Sequence, residues 1–450
     1  MMRLLWRSLR TNGRHIVAVT AIFVGVTLAA AAEGFPTTAA DPEERLEIVA
    51  YCIPPAHQLS IDRFQEMVAC GFSMGIPAER HFDMDDMQTM LDLAHEAGMK
   101  LFVNLPELLD DPEGVVMRFR DHPAVAGYFI IDEPTWGPDG WSKTQYVQTP
   151  VHDLDLGAIV DRIKAVDPDR PCYINLFPNI ATSEQLGTPT YRDHVERFVE
   201  EVPGAEFISF DHYPIANYQV NPAWYENLEI ISDVARENDL PFWAFALSST
   251  HYAYTPATFS HLRLQMHVNL AYGAQALQYF PYWGPNQAHW FSPIHYDGTR
   301  GVLFDDVKRL NGDLQQLAPV FRGASVVEVG HTGIRQQWRP GVEDSPEPWD
   351  GDETPLTPGT QRYEPKAPIV ELVAQGKDGA VVSTLQKGQD RYLAVVNKDY
   401  AHIMVLRIEF DDSRTIHLRK PDGSWRELEG PRFRTLVQPG DLVVLGWTDQ

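Results

Sequence analysis

Cysteine is scarce in this chain: three residues in 450, at Cys52, Cys70 and Cys172. None belongs to a CxxC pair and no Cys/His group has zinc-ligand spacing, so nothing points to a disulfide framework or a metal site. Cys52 and Cys172 lie inside apolar, strand-like runs and read as small buried hydrophobes. Cationic residues are also short, 37 Lys and Arg against 62 Asp and Glu, for a net charge of −25. So acidic a chain repels nucleic acid and anionic membrane surfaces, which speaks against both as partners. No glycine-rich phosphate turn follows the first apolar run, where Tyr51-Cys52-Ile53-Pro54-Pro55 stands instead. That argues against an open, doubly wound nucleotide-binding sheet. No internal repeat and no low-complexity tract is present.

The N-terminus has one marked feature. Arg3, Arg7, Arg10 and Arg14 form a basic stretch without an acid, and an apolar run from Ile16 ends in Ala30-Ala31-Ala32. This pattern predicts a secretory signal peptide over residues 1–32, and hence an exported protein. The alternative is an uncleaved membrane anchor, because the run is almost long enough to span a bilayer. No later run reaches that length, so no stable membrane insertion is expected once the leader is cleaved.

From residue 46 to 322 short apolar runs alternate with stripes of helical spacing. The runs are Leu46–Ile53, Phe72–Pro77, Leu101–Leu105, Val125–Ile131, Pro171–Phe177, Ala205–Phe210, Pro241–Leu247 and Gln275–Tyr282. Stripes such as Met84, Met87, Met90/Leu91 and Ala94 separate them. Eight such pairs predict an α/β fold, a (β/α)₈ TIM barrel. Residues 323–450 differ. A Pro-, Gly- and acid-rich stretch over 338–366 reads as a loop, and the short β-type runs after Ile369 predict a small C-terminal all-β sandwich. Val326–Val329 is a candidate for its first strand.

In a barrel of this kind the chemistry lies where strands end and βα loops begin. Those positions carry Tyr51, then Glu79-Arg80-His81, Asn104 and Glu107, Asp132-Glu133, Asn175 and Asn179, and Asp211-His212-Tyr213. Trp243, Ser248, Ser249 and His251 follow on the seventh run, and Tyr279, Tyr282 and Trp283 on the eighth. Carboxylates, amides and aromatic planes on one rim suit cleavage of a glycosidic bond. One carboxylic acid protonates the leaving oxygen, and a second carboxylate attacks the sugar or activates water. Glu133 follows Gly127-Tyr128-Phe129-Ile130-Ile131-Asp132, and burial beside aromatics keeps a carboxyl protonated. We therefore read Glu133 as the catalytic acid and Asp211 as a candidate second carboxylate. Tyr51, Asn104, Asp132, Asn175, His212, Tyr213, Trp243, Tyr279 and Trp283 are candidate sugar-binding residues. A carbohydrate is the expected partner, and no cofactor is implied.

The segment Gly-Tyr-Phe-Ile-Ile-Asp-Glu-Pro at 127–134 resembles the fourth-strand motif of clan A retaining glycoside hydrolases, in particular exported bacterial relatives of the β-galactosidase-like family 42. The resemblance implies an acid/base role for Glu133. The residue before it, usually Asn, is here Asp132. Asp211-His212-Tyr213-Pro214 and Phe280-Pro281-Tyr282-Trp283 are also similar to segments of such barrels. One departure matters. The family places its nucleophilic Glu at the end of strand seven, where this chain has Phe242-Trp243-Ala244-Phe245-Ala246-Leu247-Ser248-Ser249 and no acid. Three readings follow: Asp211 is the second carboxylate, a Glu such as Glu79 or Glu107 reaches in, or the barrel binds carbohydrate without cleaving it.

Overall fold

The computed structural model describes residues 44–78, 82–143, 150–333 and 357–449. The predicted leader at 1–32, most of the acidic stretch, and Glu79, Arg80 and His81 lie outside the described residues.

Eight parallel strands close into a barrel: Glu47–Tyr51, Met74–Ile76, Lys100–Val103, Val125–Asp132, Cys172–Leu176, Ile208–Phe210, Phe242–Leu247 and Ala276–Phe280. The eighth closes onto the first, with Glu47 opposite Ala276 and Ala50 opposite Tyr279. Strands buried on both faces read as continuous apolar runs, which is why the sequence runs overlie the strands and differ from them only at the ends. The intervening helices begin and end on chemical signals. Helix Met84–Ala97 starts at Asp83, whose carboxylate accepts from the amides of Asp85 and Asp86, and stops at Gly98 with φ 84°. Such an N-cap contributes about 1 kcal/mol.

Strand periodicity fixes which side chains enter the barrel. Phe207 and Trp243 stack face to face with ring centroids 4.0 Å apart. Above them Phe102, Phe129 and Tyr173 pack against one another, with Phe129 and Tyr173 stacked at 4.8 Å. Tyr51, Phe245 and Phe280 form the next layer, Tyr51 lying 5.8 Å from each of the other two rings. The barrel is thus filled by side chains from its amino end up to Tyr51.

The C-terminal region is a sandwich of two antiparallel sheets. The larger contains Ser325–His331, Ala380–Lys387, Asp390–Asn397 and Leu442–Thr448, and the smaller is Ile369–Gln375, Met404–Phe410 and Arg432–Val437. Val382, Leu393, Val395, Leu406, Ile408, Leu445 and Trp447 fill the space between them. Helix Phe259–Ala271 joins sandwich to barrel. It carries buried residues on every side, from His261 to Ala271, with Arg263 mostly buried among them. A helix without a polar face must be covered all round. On one side Gln265 accepts from the Leu247 amide (2.9 Å) and Asn269 donates to the Phe245 carbonyl (3.1 Å). On the other, Arg263 reaches the Pro439 carbonyl (3.1 Å) and the Asp441 carboxylate (3.2 Å) of the sandwich.

One feature has no counterpart in the strand-and-helix reading of the sequence. Between the fourth strand and its helix, Leu156–Val166, lies a three-stranded antiparallel sheet of Thr135–Gly137, Gly140–Lys143 and Val151–Leu154. Trp141 is its buried anchor, edge-on to Trp136 at 5.2 Å and to His194 at 5.6 Å.

Candidate active site

The carboxyl ends of the fourth, fifth and sixth strands bring three acids together. The fourth strand changes register between Phe129 and Ile131, and this irregularity sets Asp132 opposite Asn175. A bulge of that kind re-aims the residues that follow it. Glu133 then takes a left-handed backbone, φ 47°, uncommon for a residue with a side chain. Its amide donates to the Asn175 carbonyl at 2.8 Å. The Asn175 side chain donates from one nitrogen to Asp132 (3.1 Å) and to Asp211 (2.8 Å), and its oxygen accepts from Ser209 at 2.9 Å. The two aspartates are therefore held no farther apart than two hydrogen bonds end to end. Ser209 belongs to a network below them, in which the Tyr173 hydroxyl meets Ser209 and Gln278, each at 2.7 Å.

Electrostatics follow from this crowding. Burial pushes the Glu133 carboxyl well above its ordinary value, and the charges of Asp211 and Asp132 push it further, while Lys143 acts the other way. Glu133 retains 17% of its side-chain exposure, so it faces the mouth of the barrel. Asp211 is raised to about 7, first by burial and then by Asp132, against the hydrogen bonds of Asn175 and Tyr213. Like charges in a shared low-dielectric site cannot all ionise at modest cost, which favours the protonated forms of Glu133 and Asp211.

An aromatic wall stands beside the acids. Tyr213 stacks on Phe280 at 5.6 Å and meets Tyr254 edge-on at 5.7 Å. His251 and His289 continue it, their rings 4.6 Å apart. With Tyr51 against Phe280, this leaves a rim of rings around hydrogen-bonding carboxyls.

The structure thus brings Glu133, Asp132, Asp211, Asn175, Tyr213 and Tyr51 to one end of the barrel. Asn104 is buried at the end of the third strand, where it donates to the Pro77 carbonyl at 2.6 Å. Four candidates of the sequence analysis stand elsewhere. Trp243 faces inward but near the amino end of its strand, on the barrel floor against Phe207. Tyr279 points out of the barrel and packs on Phe72 at 5.5 Å, since its neighbours Gln278 and Phe280 take the inward register. His212 alternates outward between Asp211 and Tyr213, and its Nδ1 lies 3.2 Å from Asn227 in the helix layer. Burial lowers it to about 4. Trp283 sits under the Arg63 guanidinium at 5.1 Å and lines a separate cavity of about 240 Å³ with Cys52, His57 and Phe82. Asn179 holds a loop through Asn227 and Ala223, and Glu107 is exposed on the turn Pro106–Leu108. Ser248 donates to the Pro281 carbonyl (2.9 Å), and no acid stands beside it at the seventh strand's end.

Lys143, Tyr254 and His289 of this region were not singled out from sequence, and Phe280 figures there only as part of a segment similar to other barrels. Phe280 was legible in principle, two positions beyond the inward Gln278. Lys143 and Tyr254 come from connecting segments that carry no periodic signal. No group of three or more His, Cys, Asp or Glu among the described residues is arranged to hold a metal ion.

No protein-family model matches this chain, and no curated protein matches it. Solved structures do. A catalytic mutant of a GH42 β-galactosidase from G. stearothermophilus superposes with a TM-score of 0.57 at 10% identity, over 93% of this chain and all (100%) of that one. An α-amylase from Anoxybacillus gives 0.49 at 10% identity, over 91% and 99%. A GH27 β-L-arabinopyranosidase from Geobacillus stearothermophilus gives 0.48 at 9% identity, over 90% and 98%. The first of these likenesses shows a shared fold: the chain has a glycosidase-like barrel.

Proposed function

We propose that the protein is an exported glycoside hydrolase acting on an oligo- or polysaccharide, with Glu133 as general acid and Asp211 as second carboxylate. The observation that carries this reading is a carboxyl buried at the fourth strand's end, where burial and neighbouring charge favour its protonated form, beside two further carboxyls that one asparagine holds together. Glu133 delivers its proton to the leaving oxygen. Asp211, once ionised, attacks the sugar carbon or takes a proton from water. Asp132 and Asn175 hold the second carboxylate in place and offer hydrogen bonds to ring hydroxyls, and Tyr51, Tyr213 and Phe280 present ring faces and edges to the sugar. This reading dispenses with an acid on the seventh strand.

Replacement Glu133→Gln tests it. The variant keeps the shape and loses the proton, so cleavage is expected to drop by about 10²–10⁴-fold, as for loss of a general acid. Reducing-sugar release across a broad glycan panel is the measurement, and an undiminished rate in the variant would falsify the assignment. The bare end of the seventh strand favours one second reading, a barrel that binds carbohydrate without turnover. Retention of the native protein on immobilised glycans with no released product, across the same panel, would select it.

A further inference from the structure

Lys143 ends the middle strand of the inserted sheet, and its side chain is only 6% exposed. Lysine on a strand ordinarily lays its stem on the surface and keeps the ammonium in water. Here the ammonium is turned inward. Its nitrogen has no hydrogen-bond partner among the described residues. The nearest opposite charge is the Glu133 carboxyl, Nζ to Oε2 3.8 Å, too long for a hydrogen bond. The face of Phe177 lies 5.9 Å away on another side. Among the described residues those donors make no hydrogen bond, and a buried cation held only by a charge 3.8 Å away is costly.

We propose that Lys143 is a catalytic residue that donates a hydrogen bond to the departing glycosidic oxygen while Glu133 protonates it, which fits the site to sugar leaving groups of low acidity. This rests on the reading of Glu133 as the acid. The geometry carries it: with Nζ and Oε2 3.8 Å apart, an oxygen set to one side of the line joining them lies within hydrogen-bonding distance of both, and the ammonium, covered in the free protein, has only to turn toward that oxygen to meet it. As the bond from the sugar carbon to that oxygen breaks, its electron pair moves onto the oxygen. Glu133 gives up its proton to the oxygen and becomes a carboxylate. Lys143 keeps its own protons throughout and faces the charge as it arrives, a fixed donor aimed where charge develops. The cation also steadies the carboxylate that Glu133 becomes.

The test compares the native enzyme with Lys143→Met, Lys143→Arg and Glu133→Gln on phenyl and 2,4-dinitrophenyl glycosides of whichever sugar the panel shows to be cleaved. Thermal unfolding of each variant is followed alongside. Lys143→Met is expected to lose about 10²-fold in kcat/KM on the phenyl glycoside, the loss from removing one such donor. It should lose far less on the dinitrophenyl glycoside, whose oxygen leaves without help. Lys143→Arg should recover part of the rate. The Met variant should unfold at the same or a higher temperature, because an unpaired buried cation is replaced by an apolar chain of similar length. A lower unfolding temperature with equal losses on both glycosides would overturn the proposal and make Lys143 a prop for the inserted sheet. If Glu133→Gln loses rate selectively on the phenyl glycoside while Lys143→Met loses none, the proposal fails and the acid assignment survives. If Glu133→Gln keeps its rate, or the native protein cleaves no member of the panel, the reading of Glu133 fails and takes this inference with it.

Discussion

Asp211 shows how a buried carboxyl costs its host stability. Its proton is held up to about 7 in the folded chain, against an ordinary value of 3.8. The folded state therefore binds that proton more tightly than the unfolded chain does. The stability this contributes is complete below about pH 4 and is lost as pH rises through 7. Asp211→Asn keeps an oxygen for the Asn175 side chain and removes the ionisation. The variant is expected to gain on the native protein between pH 4 and pH 7.5, by on the order of 1–4 kcal/mol at the upper end. Urea unfolding at the two pH values reads the difference, and an equal gap at both would rule out the raised carboxyl. Side-chain alternation explains what was legible at this scale. Ser209, Asp211 and Tyr213 take one face of the sixth segment, and Phe210 and His212 the other. Counting by twos from an inward residue separates them, but sequence alone does not say where to start. Trp243 shows the other limit: it lies on the inward face, but near the amino end of its strand and away from the rim.

Among the elements, the barrel strands were the most legible and the inserted sheet the least. A strand covered on both faces is an apolar run and announces itself. The inserted strands are three and four residues long, mix Trp with Gly, Ser and Lys, and make sense only against their neighbours. One such neighbour is Gly187, which ends the short helix Ser183–Leu186 with φ 72°. A Cβ there would lie 1.7 Å from the Trp136 carbonyl oxygen. Gly187→Ala must therefore push the strand Thr135–Gly137 away, and with it the Gly140–Lys143 strand paired to it. Because that sheet carries Lys143 to Glu133, the substitution is expected to lower kcat on phenyl glycosides by about 10-fold or more, in line with the cost of misplacing a catalytic group by an ångström. Single-turnover kinetics at matched folded fraction check this, and an unchanged rate would show that the sheet does not position the site.

For the whole molecule, the leader and the sandwich raise different questions. We propose, from the basic stretch and the alanine-ended run, that the protein is delivered across a membrane and cleaved near Ala32. N-terminal sequencing of protein recovered from the periplasm or the medium is expected to begin shortly after Ala32, and intact Met1 on that material would select the anchored alternative. The sandwich is bound to the barrel through helix Phe259–Ala271, which hydrogen-bonds both the seventh strand and the Pro439–Asp441 turn. No sequence signal marked that helix as an internal beam, apart from its lack of a polar face.

The aromatic packing on the barrel floor has a consequence for traffic. Phe207 and Trp243, roofed by Phe102, Phe129 and Tyr173, leave no passage along the axis. If the barrel cleaves glycans as proposed, substrate and both fragments share the carboxyl-end rim that carries Tyr51 and Tyr213, and a fragment slow to leave that rim holds up the next arrival.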